Sequence, residues 1–240
     1  MLILNFAHRG SLTEAPENTL PSFQKAIEHR ASAIELDVQL TKDGHMVVVH
    51  DQKLARFNKQ YPGFIKDYTL AEIKQIDIGS SFSSEFRGVT LSTFEEVLAI
   101  CPPDLIINIE IKNIPVIYEG IERKLVDCLK EHNRLDNVII SSFDHLALKK
   151  VQQLVPNMPL GLLLYYRILK PWEYAKHCGL QLASVHPHVA YTDKEFIDEF
   201  HHLGLKVLPY TVNDKAKYQK LIELGVDGVF SNNPQIFAGV

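Results

Sequence analysis

Ala33-Ile34-Glu35-Leu36-Asp37-Val38-Gln39-Leu40 is the stretch around which the rest of the chain is organised. Aliphatic residues at alternate positions read as a buried strand. Glu35 and Asp37 interrupt it, two residues apart. Side chains at i and i+2 of a strand share a face, roughly 7 Å apart along it. Two carboxylates on one face repel each other and are costly to bury alone. A cation between them removes that cost, and oxygen ligands of this kind suit Mg²⁺ or Ca²⁺. The competing reading pairs either carboxylate with a Lys or Arg, or leaves it facing solvent on an edge strand.

Working outward, Leu105-Ile106-Ile107-Asn108-Ile109-Glu110-Ile111-Lys112 repeats the pattern. Asn108, Glu110 and Lys112 share one face and the aliphatics the other, so a third carboxylate and a cation are expected near Glu35 and Asp37. Asn108 reads as a structural hydrogen-bonder. Strands are predicted at 2–7, 33–40, 105–112, 137–141, 160–165, 181–186, 205–211 and 227–231. Helices are predicted at 20–30, 116–132, 144–155, 171–178, 193–203 and 214–224. Thr192 to Glu195 reads as the capping box of one of them. Gly179, Gly204 and Gly225 stand where helix C-caps are expected. Strands alternating with helices over short links predict a parallel sheet, and eight such units close a (β/α)₈ TIM barrel, with a doubly wound open sheet as runner-up. Residues 52–92 are long for a βα loop. They contain a short helix near 70–76, opened by a box at Thr69–Glu72, and a second box at Thr93–Glu96 then starts a helix through Ile100. A small inserted subdomain after the second barrel strand is expected, about residues 46–92, with the hairpin strand 46–49 as part of it. The 240 residues then make one domain.

Composition narrows the function. A net charge of −4 lacks the electrostatic footprint of a nucleic-acid binder. Cys101, Cys128 and Cys178 are scattered and show neither a disulfide framework nor zinc spacing. No apolar run has the length of a membrane span, and no secretory leader is evident at Met1. A cytoplasmic protein without a stable membrane anchor is the expectation. Polar groups gather where the strands end: His8 and Arg9, Glu35 and Asp37, His50, Glu110 and Lys112, Ser141 and Ser142, His186, Tyr210 with Asn213, and Ser231 to Asn233. Barrel enzymes carry their sites at that face. Asn18 is either a site residue or, like Thr19, a cap for the first helix. Three carboxylates, two or more His, an Arg and a Lys suit metal-assisted attack at phosphorus: the cations offset phosphodiester charge, and two His divide proton acceptance and donation.

His8-Arg9-Gly10, Pro16-Glu17-Asn18-Thr19, Glu35-x-Asp37-Val38, Thr41-Lys42-Asp43-Gly44, His50-Asp51 and Glu110-Ile111-Lys112 stand in order and at close spacing. Together they closely resemble the glycerophosphodiester phosphodiesterase family, along the whole chain. The resemblance implies a barrel with an insertion after its second strand. It implies hydrolysis of glycerophosphodiesters, as small-molecule substrates, to glycerol 3-phosphate and an alcohol, with one divalent cation, Mg²⁺ or Ca²⁺. Carried over by position, Glu35, Asp37 and Glu110 hold the metal, His8 and His50 form the acid–base pair, Arg9 and Lys112 contact phosphate, and Asn18 lines the site. Two alternatives stand beside it. One is a lipid phosphodiesterase of lysophospholipase D or phosphatidylinositol phospholipase C type, which would favour an apolar rim or an anchor. The other is a barrel that binds phosphodiesters without turnover.

Overall fold

Short links between strand and helix leave each strand beside its predecessor, and the chain winds into a closed parallel sheet. The computed structural model describes residues 3–237. Strands β1 (Leu4–His8), β2 (Ala33–Leu40), β5 (Ile106–Ile111), β6 (Val138–Ser142), β7 (Leu160–Leu164), β8 (Leu182–Pro187), β9 (Lys206–Val207) and β10 (Gly228–Ser231) follow one another in the order β10-β1-β2-β5-β6-β7-β8-β9. Every one of these neighbouring pairs is parallel. The circle is closed by backbone bonds between the ends of the order. Asp227 N–H donates to Val207 O at 3.1 Å, Phe230 N–H to Pro209 O at 3.0 Å, and Val212 N–H to Phe230 O at 2.8 Å. This is the (β/α)₈ barrel expected from the strand count rather than an open sheet.

The predicted strands lie within a residue or two of the observed ones, with two exceptions. The first predicted strand began at Leu2, which lies outside the described residues. The stretch 205–211 is a strand only at Lys206–Val207 and pairs again as a single bridge of Tyr210 with His188, because Pro209 between them has no N–H to give. The helices are α1 (Leu20–Glu28), α2 (Leu70–Ile73), α3 (Phe94–Ile100), α4 (Ile121–Glu131), α5 (His145–Leu154), α6 (Pro171–His177), α7 (Lys194–His202) and α8 (Lys215–Leu224). Helix α4 starts five residues later than expected. Pro115 and Gly120, with φ +80°, interrupt the segment, and the Asn113 side chain takes the Tyr118 N–H at 2.7 Å. The boxes at Thr69–Glu72 and Thr93–Glu96 are formed, but the one at Thr192 is not. Asp193 caps α7 instead, accepting from Phe196 N–H at 2.9 Å, and the Thr192 hydroxyl donates to His188 O. A carboxylate beside the helix N-terminus is favoured there by the dipole.

Two stacked environments fill the inside of the barrel. At its N-terminal floor Leu4, Phe6, Ala33 and Leu208 pack with Phe230, whose ring stacks on Phe6 at 4.5 Å. One strand step further up, the inward positions become Glu35, Asn108, Ser141 and His186. Outside, the alternate aliphatics of β2 and β5 bury against the helices, each large side chain contributing about 1.5–3 kcal/mol of transfer free energy.

Strand β3 (Met46–Val48) turns back antiparallel on β2 through residues 41–45 and pairs in turn with β4 (Ser92–Thr93). Strand 46–49 is therefore hydrogen-bonded to the barrel, not confined to the excursion that follows it. Between β3 and β4 the chain runs through short 3₁₀ turns around an apolar cluster of its own, Val47, Val49, Leu54, Ile65, Ile73, Ile76, Ile78 and Leu91.

Candidate active site

The barrel register brings the polar stretches together. Asp37 lies opposite Glu110 across β2 and β5, and Glu35 opposite Asn108. Each of Glu35, Asp37 and Glu110 is buried, and each offers an oxygen within 4.8 Å of the others'. Lys112 turns back over this group, with Nζ 2.7 Å from Glu110 Oε1 and 3.7 Å from Asp37 Oδ1. Arg9 approaches from the other side, its Nε 3.4 Å from Asp37 Oδ2. Side-chain cations thus flank Asp37 and Glu110, as the pairing reading expects, and the three acids still converge as a cation site requires.

The loop after β1 is shaped by close approach. Arg9 has φ +57°, and Gly10 has φ +89° with no room for a Cβ, which would sit 2.3 Å from Ser22 Oγ. That turn aims the Arg9 N–H at the Glu35 side chain, at 2.9 Å. It also lets Arg9 O accept from Asn18 N–H at 3.0 Å. Asn18, itself at φ +57°, is not the helix cap; Thr19 is. Asn18 Nδ2 instead donates to Asp37 Oδ2 at 2.9 Å.

The two histidines come from different places. His8 ends β1, and its Nδ1 lies 2.6 Å from Asn232 Oδ1 beyond β10. The amide oxygen accepts, so Nδ1 carries the proton and Nε2 presents a lone pair. His8 Nε2 is 3.9 Å from Glu35 Oε2. Burial and then the Arg9 charge lower the His8 pKa to about 4, so the ring is neutral at pH 7 and this is proximity rather than an ion pair. His50 sits just past β3, with Nδ1 2.8 Å from Asp51 Oδ1. That bond is the main reason Asp51 is held at about 2.

What fixes the His50 loop is Gln39, two residues beyond Asp37 on the same inward face. Its buried Nε2 lies 2.8 Å from Val49 O, 3.1 Å from His50 O and 3.2 Å from Asp51 O, and its Oε1 accepts from Tyr118 Oη at 2.6 Å. Sequence reading missed this residue, although the alternation Glu35, Asp37, Gln39 signalled it. Another missed group is an outer chain of charge: Arg9 to Glu17 at 3.2 Å, Glu17 to Arg56 at 2.8 Å, and Arg56 to Asp51 at 3.2 Å.

The acids are shifted in different directions. Burial, reinforced by the Asp37 and Glu110 charges, pushes Glu35 well above the usual carboxylate range. Burial also raises Glu110, although Lys112 pulls the other way. For Asp37 burial is outweighed by Arg9 and Lys112, and the carboxyl falls well below its usual range. Its Oδ1 is nonetheless buried without a hydrogen bond, an arrangement that costs stability unless something electropositive meets it. Three hard oxygen donors, one without a hydrogen bond and one whose ionisation is opposed by burial and by its neighbours' charges, fit a divalent ion, which would relieve both.

The remaining lining differs in kind. A cavity of about 320 Å³ opens over Glu35 and Glu110, and Phe143, Leu163, Tyr165, His186, His188, Tyr210 and Phe230 form its other side. His186 is fully buried, which lowers its pKa to about 3. It fits because β7 carries Gly161 beside it: a Cβ there would meet His186 Cε1 at 2.4 Å. Of the other residues at strand ends, Ser141 lines the cavity, Ser142 donates to Ile111 O, and Asn213 accepts from the Asn232 N–H.

Comparison with known proteins agrees with this geometry. A family model described as the Glycerophosphoryl diester phosphodiesterase family matches residues 8–236. A glycerophosphodiester phosphodiesterase of Caldanaerobacter subterraneus is 41% identical, over 98% of this chain and 96% of its own. A glycerophosphodiester phosphodiesterase of Bacillus subtilis is 37% identical, over 98% and 85%. The structure of an Oleispira antarctica phosphodiesterase in complex with the product sn-glycerol-3-phosphate superimposes with a TM-score of 0.88, at 34% identity over 98% of this chain and 94% of that one.

Proposed function

Because the chain belongs to the glycerophosphoryl diester phosphodiesterase family, we propose that it hydrolyses glycerophosphodiesters to glycerol 3-phosphate and an alcohol, with Glu35, Asp37 and Glu110 holding one divalent cation, Mg²⁺ or Ca²⁺. The observation that carries this reading is the meeting of three buried carboxylates from two adjacent strands, with Glu35 and Glu110 lining a cavity and Asp37 Oδ1 making no hydrogen bond. When bound, the cation supplies charge neutralisation at the phosphoryl oxygens. Arg9 and Lys112 add two fixed positive charges beside it, and Asn18 keeps Asp37 aimed inward. His8 is neutral with its Nε2 lone pair free, and takes the proton from the oxygen attacking phosphorus. His50, its Nδ1–H turned to Asp51, delivers a proton from Nε2 to the leaving alkoxide. Residues 1–240 act as one domain in this scheme, with the excursion at 46–92 forming part of its mouth. Turnover of glycerophosphocholine before and after EDTA treatment tests it. Loss of activity with EDTA and its return with Mg²⁺ or Ca²⁺ are expected. Unchanged turnover in EDTA would remove the metal from the mechanism.

A further inference from the structure

Exposed apolar side chains are not spread evenly over this molecule. Every large hydrophobic residue left exposed among the described residues falls in a segment leaving the mouth end of the sheet or in the first turns of the helix that follows. None lies at the floor. The densest group is the link between β7 and α6, Tyr165 to Lys170, all six exposed. Tyr166 is 75% exposed and Leu169 is 90% exposed. Side chains held that far out are single protruding tips, not a flat face ready for a fitted protein surface. Ile168 stands beside Leu169, and Arg167 and Lys170 flank the pair.

We infer that this loop is a docking surface for an anionic lipid bilayer, which seats the mouth of the barrel against the membrane. Tyrosine rings favour the headgroup level, and aliphatic tips insert below it. Flanking cations are drawn to anionic headgroups within a Debye length. Asp193 and Glu195 line the same groove as Arg167, Ile168, Leu169 and Lys170, and offset the two cations there. The aliphatic tips therefore carry the insertion, and Arg167 and Lys170 set the lipid preference. Tyr165 also lines the catalytic cavity, so the docked loop is continuous with the site. No residue of the proposed metal or acid–base set belongs to the loop.

Flotation of the full chain with vesicles tests the inference, using pure phosphatidylcholine against phosphatidylcholine with about one-third phosphatidylglycerol. Wild type is expected to float with the anionic vesicles, about tenfold less with the neutral ones, and less again in high salt. The double variant Ile168→Asp/Leu169→Asp is expected to lose flotation at least tenfold, with turnover of soluble glycerophosphocholine unchanged. That second readout reports folding, and it keeps failure here distinct from failure of the hydrolase reading. Wild type that floats with neither vesicle, or a double variant that floats as well as wild type, overturns the surface. Equal flotation with both vesicles overturns the role of the cations. Self-association in sedimentation velocity that the double variant abolishes, without lipid binding, assigns the loop to a second copy of the chain instead.

Discussion

The two walls of the cavity are built to different rules. The wall from β1, β2 and β5, with the His50 loop, carries nearly all the charge: Glu35, Glu110, Arg9, Lys112 and two histidines, with Asp37 buried against the two acids. The wall from β6 to β10 carries rings and aliphatics, Phe143, Leu163, His186, Tyr210 and Phe230 among them. The first wall is suited to activating and neutralising, and the second to holding a substrate by shape. The difference also has a cost in stability. Charged groups buried side by side leave Asp37 Oδ1 without a hydrogen bond and an acid at Glu35 that resists ionising, while the ring-lined wall leaves the neutral His186 Nδ1 without one.

The largest expected effect falls on the charged wall. Glu35→Ala and Glu110→Ala should each reduce glycerophosphodiester turnover to background while circular dichroism stays native, and wild-type turnover in either would refute the assignment. Stability should move the other way. Glu35 has its pKa raised above the ordinary value of 4.5, so its contribution is fully present below that pH and is lost as pH rises through the higher folded value. Metal-free Glu35→Gln should therefore melt above metal-free wild type at neutral pH, with the gap closing toward pH 4. A divalent cation should raise the wild-type melting temperature and leave that of the variant in place. A gap that is unaffected by pH would mean that the burial of Glu35 has been misread.

Next come the two histidines proposed to carry protons. His8→Ala and His50→Ala should each lower kcat by about 10² or more. Near-full kcat in either variant would strip that histidine of its role.

The smallest effect belongs to Gln39, which touches no proposed reacting group. Gln39→Ala frees three carbonyls of the His50 loop and should lower kcat by about 10-fold through misplacement, without shifting the affinity for metal measured by calorimetry. Weakened metal binding in that variant would make Gln39 a support of the acids and not of His50.

The contrast between the walls also explains what was legible in the chain. Charges on the inward face of an otherwise aliphatic strand violate ordinary burial, so Glu35, Asp37, Glu110 and Lys112 stood out, and the parallel register of β2 and β5 then brought them together. The strand count fixed the barrel because its links are short. The ring-lined wall obeys ordinary burial. Phe143, Leu163 and Phe230 look like core in any sequence, and the space Gly161 leaves for His186 is visible only across two strands. Long-range partners were equally hidden: Asn232 on His8 spans 224 positions, and Arg56 on Glu17 spans 39. The late start of α4 and the Asp193 cap were local choices between adjacent residues, which patterning resolves poorly.

The central claim is that one divalent ion sits among Glu35, Asp37 and Glu110. Anomalous diffraction from crystals soaked in Mn²⁺ tests it most directly. A single strong peak within bonding distance of all three carboxylates is the result expected; no peak there, or one bound elsewhere with Asp37 and Glu110 still paired to Arg9 and Lys112, would contradict it.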